Sequence, residues 1–189
     1  MASAIERDHA ALVALLKQRS VRFGDFVLAS GAHSSYYIDC RPTTMSAPGQ
    51  LLIGALGFEV IERAGWQIGA VGGLTMGADP IAYAIAAESM RRGRPIDAFS
   101  VRKEAKAHGT GKRIEGNFSP EIPVAVIEDV ITTGASALSA IAAIRDAGGK
   151  VAGVLALVDR EAGGRAAIGK AGVEVRVIVP AAELGIVPG

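Results

Sequence analysis

Val124-Ala125-Val126-Ile127-Glu128-Asp129-Val130-Ile131-Thr132-Thr133-Gly134-Ala135-Ser136 sets the reading of the whole chain: an apolar run, two acids, an apolar pair, then small hydroxylated residues and a glycine. Residues 124–127 are rich in β-branched side chains, as in a parallel strand covered on both faces. Burying two carboxylates beside them is costly, so Glu128 and Asp129 are expected at the strand's carboxyl end, where open α/β sheets hold their ligands. Two adjacent acceptors suit the vicinal hydroxyls of a ribose. Residues 137–147 carry a helical pattern, and the hydroxyls of Thr132, Thr133 and Ser136 with the backbone of Gly134 and Ala135 lead into it. The first amides of such a helix bind an anion, and glycine lets the backbone approach it. Acids for a diol beside amides for a phosphate describe a ribose 5-phosphate.

Working upstream, residues 98–101 read as a strand, and the fifteen residues from Arg102 to Gly116 that follow it have no sustained period. Arg102, Lys103, Lys106 and His108 fall within seven residues there, and Gly109, Gly111 and Gly116 allow the segment to move. Further back, Ala70 and Val71 read as a short strand entering Gly72-Gly73-Leu74-Thr75-Met76-Gly77-Ala78-Asp79-Pro80. Asp79 as a cap and Pro80 at the first helical position would start a helix over 81–92 and leave backbone amides exposed in the loop. Residues 48–64 read as a helix stopped at Gly65, and residues 5–19 as an amphipathic helix capped by Ser3. Between these helices, residues 26–28 and 36–38 form a candidate hairpin around a Ser- and Gly-rich turn, with His33 and Cys40 read as solvated. Downstream, residues 151–158 make another buried strand that ends in Asp159-Arg160, residues 173–179 make the last strand, and residues 186–189 read as a tail.

The bulk numbers agree with one globular unit. Half of the 189 residues are hydrophobic, and 20 basic against 19 acidic side chains leave a net charge of +1. That balance, with one Trp, three Tyr and five Phe, gives neither the basic surface nor the stacking platforms of a nucleic-acid binder. Cys40 is alone, which excludes an intrachain disulfide and suits the cytoplasm. An apolar leader and a membrane-length apolar run are both missing from the sequence, so no membrane partner is expected. Alternating strands and helices from Pro48 onward predict an α/β fold with a central parallel sheet flanked by helices, residues 48–189, under a small N-terminal hood of helix and hairpin, residues 1–47.

The 124–136 stretch resembles the 5-phosphoribosyl 1-diphosphate (PRPP) motif of the type I phosphoribosyltransferases. The order Arg-Lys-x-x-Lys-x-His-Gly over 102–109 is similar to the catalytic loop of the orotate branch of that family, and Ser30-Gly31 with Ser34-Ser35-Tyr36-Tyr37-Ile38-Asp39 resembles its hood. Where some members carry a lysine before that Ser-Gly, this chain has Ala29. The resemblance implies formation of orotidine 5′-monophosphate and diphosphate from orotate and PRPP, in de novo pyrimidine biosynthesis. It also implies a Mg²⁺ held mainly by PRPP and water, without a dedicated protein metal site. It assigns Lys106, Lys103, Arg102 and His108 to the leaving diphosphate, together with Thr75, Met76 and Gly77, and gives Asp129 a catalytic part. Glu128 and Asp129 take the ribose diol, Val130 and Ile131 continue the motif, Thr132 to Ser136 take the 5-phosphate, and Thr132 with Arg160 takes orotate. Finally, it implies a homodimer in which loop 102–116 reaches the neighbouring site. A transferase for another base shares the central motif, and a PRPP-sensing regulator is the reading from a different class; the basic loop and Arg160 favour orotate over the first, and the lack of a DNA-binding segment disfavours the second.

Overall fold

Residues 2–27, 31, 33–104 and 113–186 are described in the computed structural model of the chain. Helix α1 (Ala4–Arg19) opens with a full capping box: the Ser3 hydroxyl accepts from the Glu6 amide at 3.2 Å, and the Glu6 carboxylate accepts from the Ser3 amide at 2.7 Å. Its Leu12 and Leu16, four residues apart and so on one face, are fully buried. A two-stranded antiparallel hairpin follows, β1 (Val21–Val27) with β2 (His33–Ile38), longer at both strands than the sequence runs suggest. His33 therefore lies on a strand and not on a turn, 3.0 Å from the Asp25 carboxylate. Ala29 and Ser30 lie outside the described residues.

After a single turn of helix, α2 (Arg41–Thr44), the chain alternates: α3 (Ala47–Arg63), β3 (Ala70–Leu74), α4 (Ala78–Arg91), β4 (Asp97–Val101), β5 (Ile114–Gly116), β6 (Val124–Ile131), α5 (Ala135–Asp146), β7 (Val151–Asp159), α6 (Gly164–Lys170) and β8 (Glu174–Pro180). A 3-10 turn, Ala181–Leu184, precedes Ile186, which is buried and so does not belong to the predicted tail; residues 187–189 lie outside the described residues. The main sheet has the order β5-β4-β3-β6-β7-β8 and is parallel throughout except for β5, which runs antiparallel to β4 at the edge. Sequence reading placed 114–116 in a loop; three residues are too few to show a strand's alternation.

Strand β6 shows why the apolar run is where it is. Ala125 and Ile127 enter the apolar cluster with α1, α3 and α4, while Val124 and Val126 enter the opposite cluster with α5 and α6. Both faces of the strand are covered, so every position must be apolar until the helices end. The first cluster also holds Leu12, Leu16, Ile85 and Leu155, so α1 packs into the same core as the sheet. Helices α3 and α4 approach closely because Gly54 has no side chain: a Cβ there would lie 2.7 Å from the Ala84 carbonyl oxygen. Among the described residues no helix is long and apolar enough to cross a membrane.

Candidate active site

The sheet splits at its centre. Strand β3 pairs with β6 only from Ala70–Gly72 against Val124–Val126, whereas β6 stays paired with β7 as far as Ile131 against Asp159. Connections from β3 run to one side and those from β6 to the other, so the split falls at the switch point where doubly wound sheets bind ligands. Glu128 and Asp129 sit in this half-paired part. They lie in the carboxyl-terminal half of the strand, which runs on to Ile131, and the crevice left by β3 is what lets two acids face out of a buried strand.

Burial pushes the Glu128 carboxyl up to about 8, and the neighbouring charge of Asp129 and a hydrogen bond with it add to the effect. Near neutral pH Glu128 is thus largely a neutral acid. Asp129 accepts a hydrogen bond from the Val130 amide at 2.9 Å. Its other boundary is Gly77: a Cβ at that position would lie 2.8 Å from the carboxylate carbon and both oxygens, so a hydrogen is all the space allows.

Beyond Ile131, the chain turns through Thr132 and Thr133 to Gly134, which is left-handed with φ of 81° and starts α5 with no side-chain cap. A side chain on Gly134 would meet the Gly164 carbonyl oxygen at 2.9 Å. Helix α5 begins two residues earlier than predicted, so Ala135 and Ser136 belong to its first turn. The Ala135 amide leans 3.4 Å from the Thr133 hydroxyl, and the turn encloses a recess of about 90 Å³ lined by Glu128 and by Thr132 to Ser136. Free amides, three hydroxyls and a helix start make this recess an anion cradle.

A larger cavity of about 340 Å³ adjoins it. Its walls include Thr75, Met76, Gly77, Lys103, Glu128, Asp129, Val130, Thr132, Ser136 and Arg160, so most of the predicted positions meet at one place. The Thr75-Met76 peptide is cis. Asp79 is not the cap of α4; the helix begins at Ala78, and Asp79 instead accepts a hydrogen bond from the Ser100 hydroxyl at 2.7 Å, tying α4 to β4. Arg160 donates to the Tyr36 hydroxyl at 3.1 Å with its guanidinium 4.7 Å from the ring centre, so the hairpin holds this arginine. Its backbone is fixed as well, through Arg160 N–H to Ile131 C=O at 3.0 Å and the buried Asp159 carboxylate accepting from Glu161 N–H at 2.8 Å.

The basic loop is described at its roots. The Arg102 amide donates to the Arg113 carbonyl at 2.9 Å, and Arg113 donates back to the Arg102 carbonyl at 3.1 Å and on to Ser139 of α5 at 2.6 Å. Arg102 pairs with Glu115 at 3.3 Å and does not line the cavity, whereas Lys103 does. Lys106 and His108 lie outside the described residues.

Six wall residues were given no site role by the sequence: Tyr37, Ile38, Asp39, Cys40, Arg41 and Leu74. Cys40 is fully buried, not solvated, and burial, then the charges of Asp129 and Asp39, push its thiol well up. Arg41 donates to Asp39 through Nε and Nη2, both at 2.8 Å, and through its amide at 3.0 Å; that bond holds the Asp39 carboxyl below its usual range. The available signal was an acid and an arginine two residues apart just after a strand.

No family model matches the chain. An orotate phosphoribosyltransferase of Aquifex aeolicus is 47% identical over 176 residues, covering 92% of this chain and 95% of that protein. One from Sorangium cellulosum is 46% identical over 179 residues, covering 94% and 92%. The crystal structure of the Mycobacterium tuberculosis H37Rv orotate phosphoribosyltransferase with Fe(III) dicitrate superposes with a TM-score of 0.85 at 45% identity over 95% of this chain and 99% of that one. The same enzyme in complex with PRPP gives 0.78 at 39% identity over 98% and 94%. An adenine phosphoribosyltransferase of Leishmania donovani, at 15% identity and a TM-score of 0.64, shares the fold alone. A cleft of this shape, in a chain that keeps such identity to these enzymes over nearly its whole length, identifies the protein as a member of the orotate phosphoribosyltransferase family.

Proposed function

We propose that the protein transfers the 5-phosphoribosyl group of PRPP to orotate, yielding orotidine 5′-monophosphate and diphosphate in pyrimidine biosynthesis. The observation that carries this is the pair of acids at the sheet's split beside an uncapped, glycine-led helix start, in a chain 46–47% identical to orotate phosphoribosyltransferases. In the reaction the bond from C1 of the ribose to the diphosphate breaks with its electron pair on the diphosphate oxygen, a bond from C1 to N1 of orotate forms, and the N1 proton leaves to the diphosphate or to water. Positive charge grows on the sugar and negative charge on the leaving group, so the protein's task is positioning and electrostatic stabilisation.

On this reading Asp129 and Glu128 hold the two ribose hydroxyls, and the neutral acid at Glu128 lowers the repulsion between them. The turn from Thr132 to Ser136 holds the 5-phosphate, which its recess and free amides support. Thr75, Met76 and Gly77 form the diphosphate wall with Lys103, and Lys106, His108 and Arg102 complete the neutralisation; the charge of the loop and the place of Lys103 on the cavity wall support this. Thr132 and Arg160 take orotate, a role supported by the forked donors of Arg160 and its anchoring on Tyr36.

No three His, Cys, Asp or Glu side chains are gathered as a cation cage among the described residues. The oxygen donors in the crevice, Glu128, Asp129 and the threonines, fit a hard ion that arrives on PRPP with its own water. What Mg²⁺ supplies when bound is neutralisation of the diphosphate.

A homodimer belongs to the same proposal. Because β5 begins at Ile114 and Arg102 is bonded to Arg113, the free span is shorter than the 102–116 of the sequence reading. Ten residues lie between Arg102 and Arg113, and half their extended length is roughly 17 Å, a reach that suits contact with an adjacent subunit. A cytoplasmic location is likewise proposed, on the lone Cys40 and the globular composition. Residues 1–47 are read as a cover belonging to one catalytic unit, on the shared core of Leu12 and Leu16.

The test is the ultraviolet absorbance of orotate mixed with protein, PRPP and Mg²⁺, with adenine, hypoxanthine, xanthine and uracil in parallel. Loss of the orotate signal that depends on PRPP and metal is the expected result; reaction of another base with orotate unchanged overturns the assignment of Arg160 and the loop.

A further inference from the structure

The wall read as holding the diphosphate is short of fixed charge. The turn Thr75-Met76-Gly77 carries no cation, and its most exposed side chain is Met76, at 59%. Lys103 stands at the root of a long loop. Arg41 lines the same cavity and its guanidinium is held in place: Asp39 grips Nε and Nη2 with both carboxylate oxygens and takes the Arg41 amide as well. Among the described residues Nη1 has no acceptor, so donors remain free on a fork whose orientation is already set. A pinned arginine loses little side-chain freedom when an anion arrives.

Its location distinguishes two anions, orotate and the diphosphate. The Gln50 side chain bonds the Thr44 carbonyl at the end of α2 and the Pro80 carbonyl, at 2.8 Å, in the first turn of α4. This clamps the short helix that begins with Arg41 to the turn from β3 into α4. Arg160 lies across β6, at the end of β7. Arg41 therefore stands on the β3 side of the crevice and Arg160 on the β7 side.

We propose that Arg41, oriented by Asp39, is a diphosphate-binding residue: it donates to the diphosphate of PRPP and retains the leaving group, supplying the fixed cation that the turn at Met76 lacks. This rests on the phosphoribosyl-transfer reading above. The experiment compares Arg41→Gln, Arg41→Lys and Asp39→Asn with the unaltered protein. Thermal melting is recorded first, then calorimetric binding of inorganic diphosphate with Mg²⁺, then the KM values of PRPP and orotate.

Loss of a charge-assisted bond predicts diphosphate affinity and PRPP KM worse by about ten- to a hundredfold in Arg41→Gln, with orotate KM within about twofold. Arg41→Lys should recover part of the loss, because charge returns without the fork, and Asp39→Asn should fall between, since the fork is kept but loosened. Unchanged diphosphate affinity in a folded Arg41→Gln protein overturns the proposal, and so does a loss borne by orotate instead of PRPP. If Arg41→Gln melts much lower, Arg41→Lys decides: full retention of diphosphate affinity with the fork gone would reduce Arg41 to general charge. Should the unaltered protein fail to convert orotate, the transfer reading falls, while diphosphate binding still tests Arg41 by itself.

Discussion

Two turns face each other across the split sheet, and they are built on opposite plans. The turn after β6 is self-sufficient: three hydroxyls, a left-handed Gly134 packed under Gly164, and the bare start of a twelve-residue helix. The turn after β3 has a bare helix start too, but its side chains are Thr75 and an exposed Met76, and its Gly77 is spent on making room for Asp129. A monoester phosphate carries about two charges and can be held by backbone amides. A diphosphate that gathers charge as it leaves needs cations, and on the reading proposed above these come from elsewhere in the chain, with Lys103 and Arg41 both on the cavity wall. One turn binds with what it has; the other borrows.

The comparison can be broken most severely on the borrowed side. Lys106→Ala is expected to lower kcat by about a hundred- to a thousandfold while leaving the melting curve unchanged, because the loss falls on developing charge. Turnover close to that of the parent protein would take the loop out of the chemistry. On the self-sufficient side, Gly134→Val forces a side chain into the Gly164 carbonyl at a positive φ. We expect about 1–3 kcal/mol of lost stability in chemical denaturation, together with loss of inhibition by ribose 5-phosphate. Intact inhibition would show that the recess does not need its left-handed corner. Gly77→Ala sharpens the contrast, since its fold should survive while the added methyl displaces Asp129; kcat/KM for PRPP should fall about tenfold with orotate KM little changed.

The smallest effect concerns Glu128. Its carboxyl titrates near 8 in the folded protein against an ordinary value of 4.5, so the folded state binds the proton more tightly than the unfolded chain. The associated stability is complete below about pH 4.5 and is lost as pH rises through about 8. Glu128→Gln, which cannot ionise, should remove that part of the pH dependence and flatten the ligand-free melting temperature between pH 5 and pH 8, as judged by calorimetry at roughly unit pH steps. An unaltered slope would place the acidic limb on another group.

Local chemistry is what the sequence made legible. Hydrophobic run, acids and Thr/Gly turn gave β6 and α5 within a few residues, and Ser3 announced the start of α1 before any packing was known. What escaped was decided by distance in space. Asp79 has the composition of a cap, but Ser100, twenty-one residues away, offers a bond that the helix start cannot match. Cys40 looks like a loop residue until Asp129 is folded over it, and Arg41 gains meaning only because Gln50 ties its helix to Pro80. The edge strand β5 depends on pairing with β4, a contact that no pattern within three residues can reveal.

The early parting of β3 from β6 gives one strand two edges with different lifetimes. Amides of β6 that face β7 are locked in the sheet as far as Ile131, while beyond Val126 the other edge is no longer paired with β3. The Val130 N–H is held there by a side chain, the carboxylate of Asp129, and not by a neighbouring strand. Its hydrogen-exchange rate in the native state should thus follow the condition of that one acid: fast when the carboxylate turns away and, on the proposed ribose-binding role of Asp129, slow when a bound sugar locks it in place. A single backbone amide in the middle of the molecule serves as a built-in reporter of whether the crevice is filled.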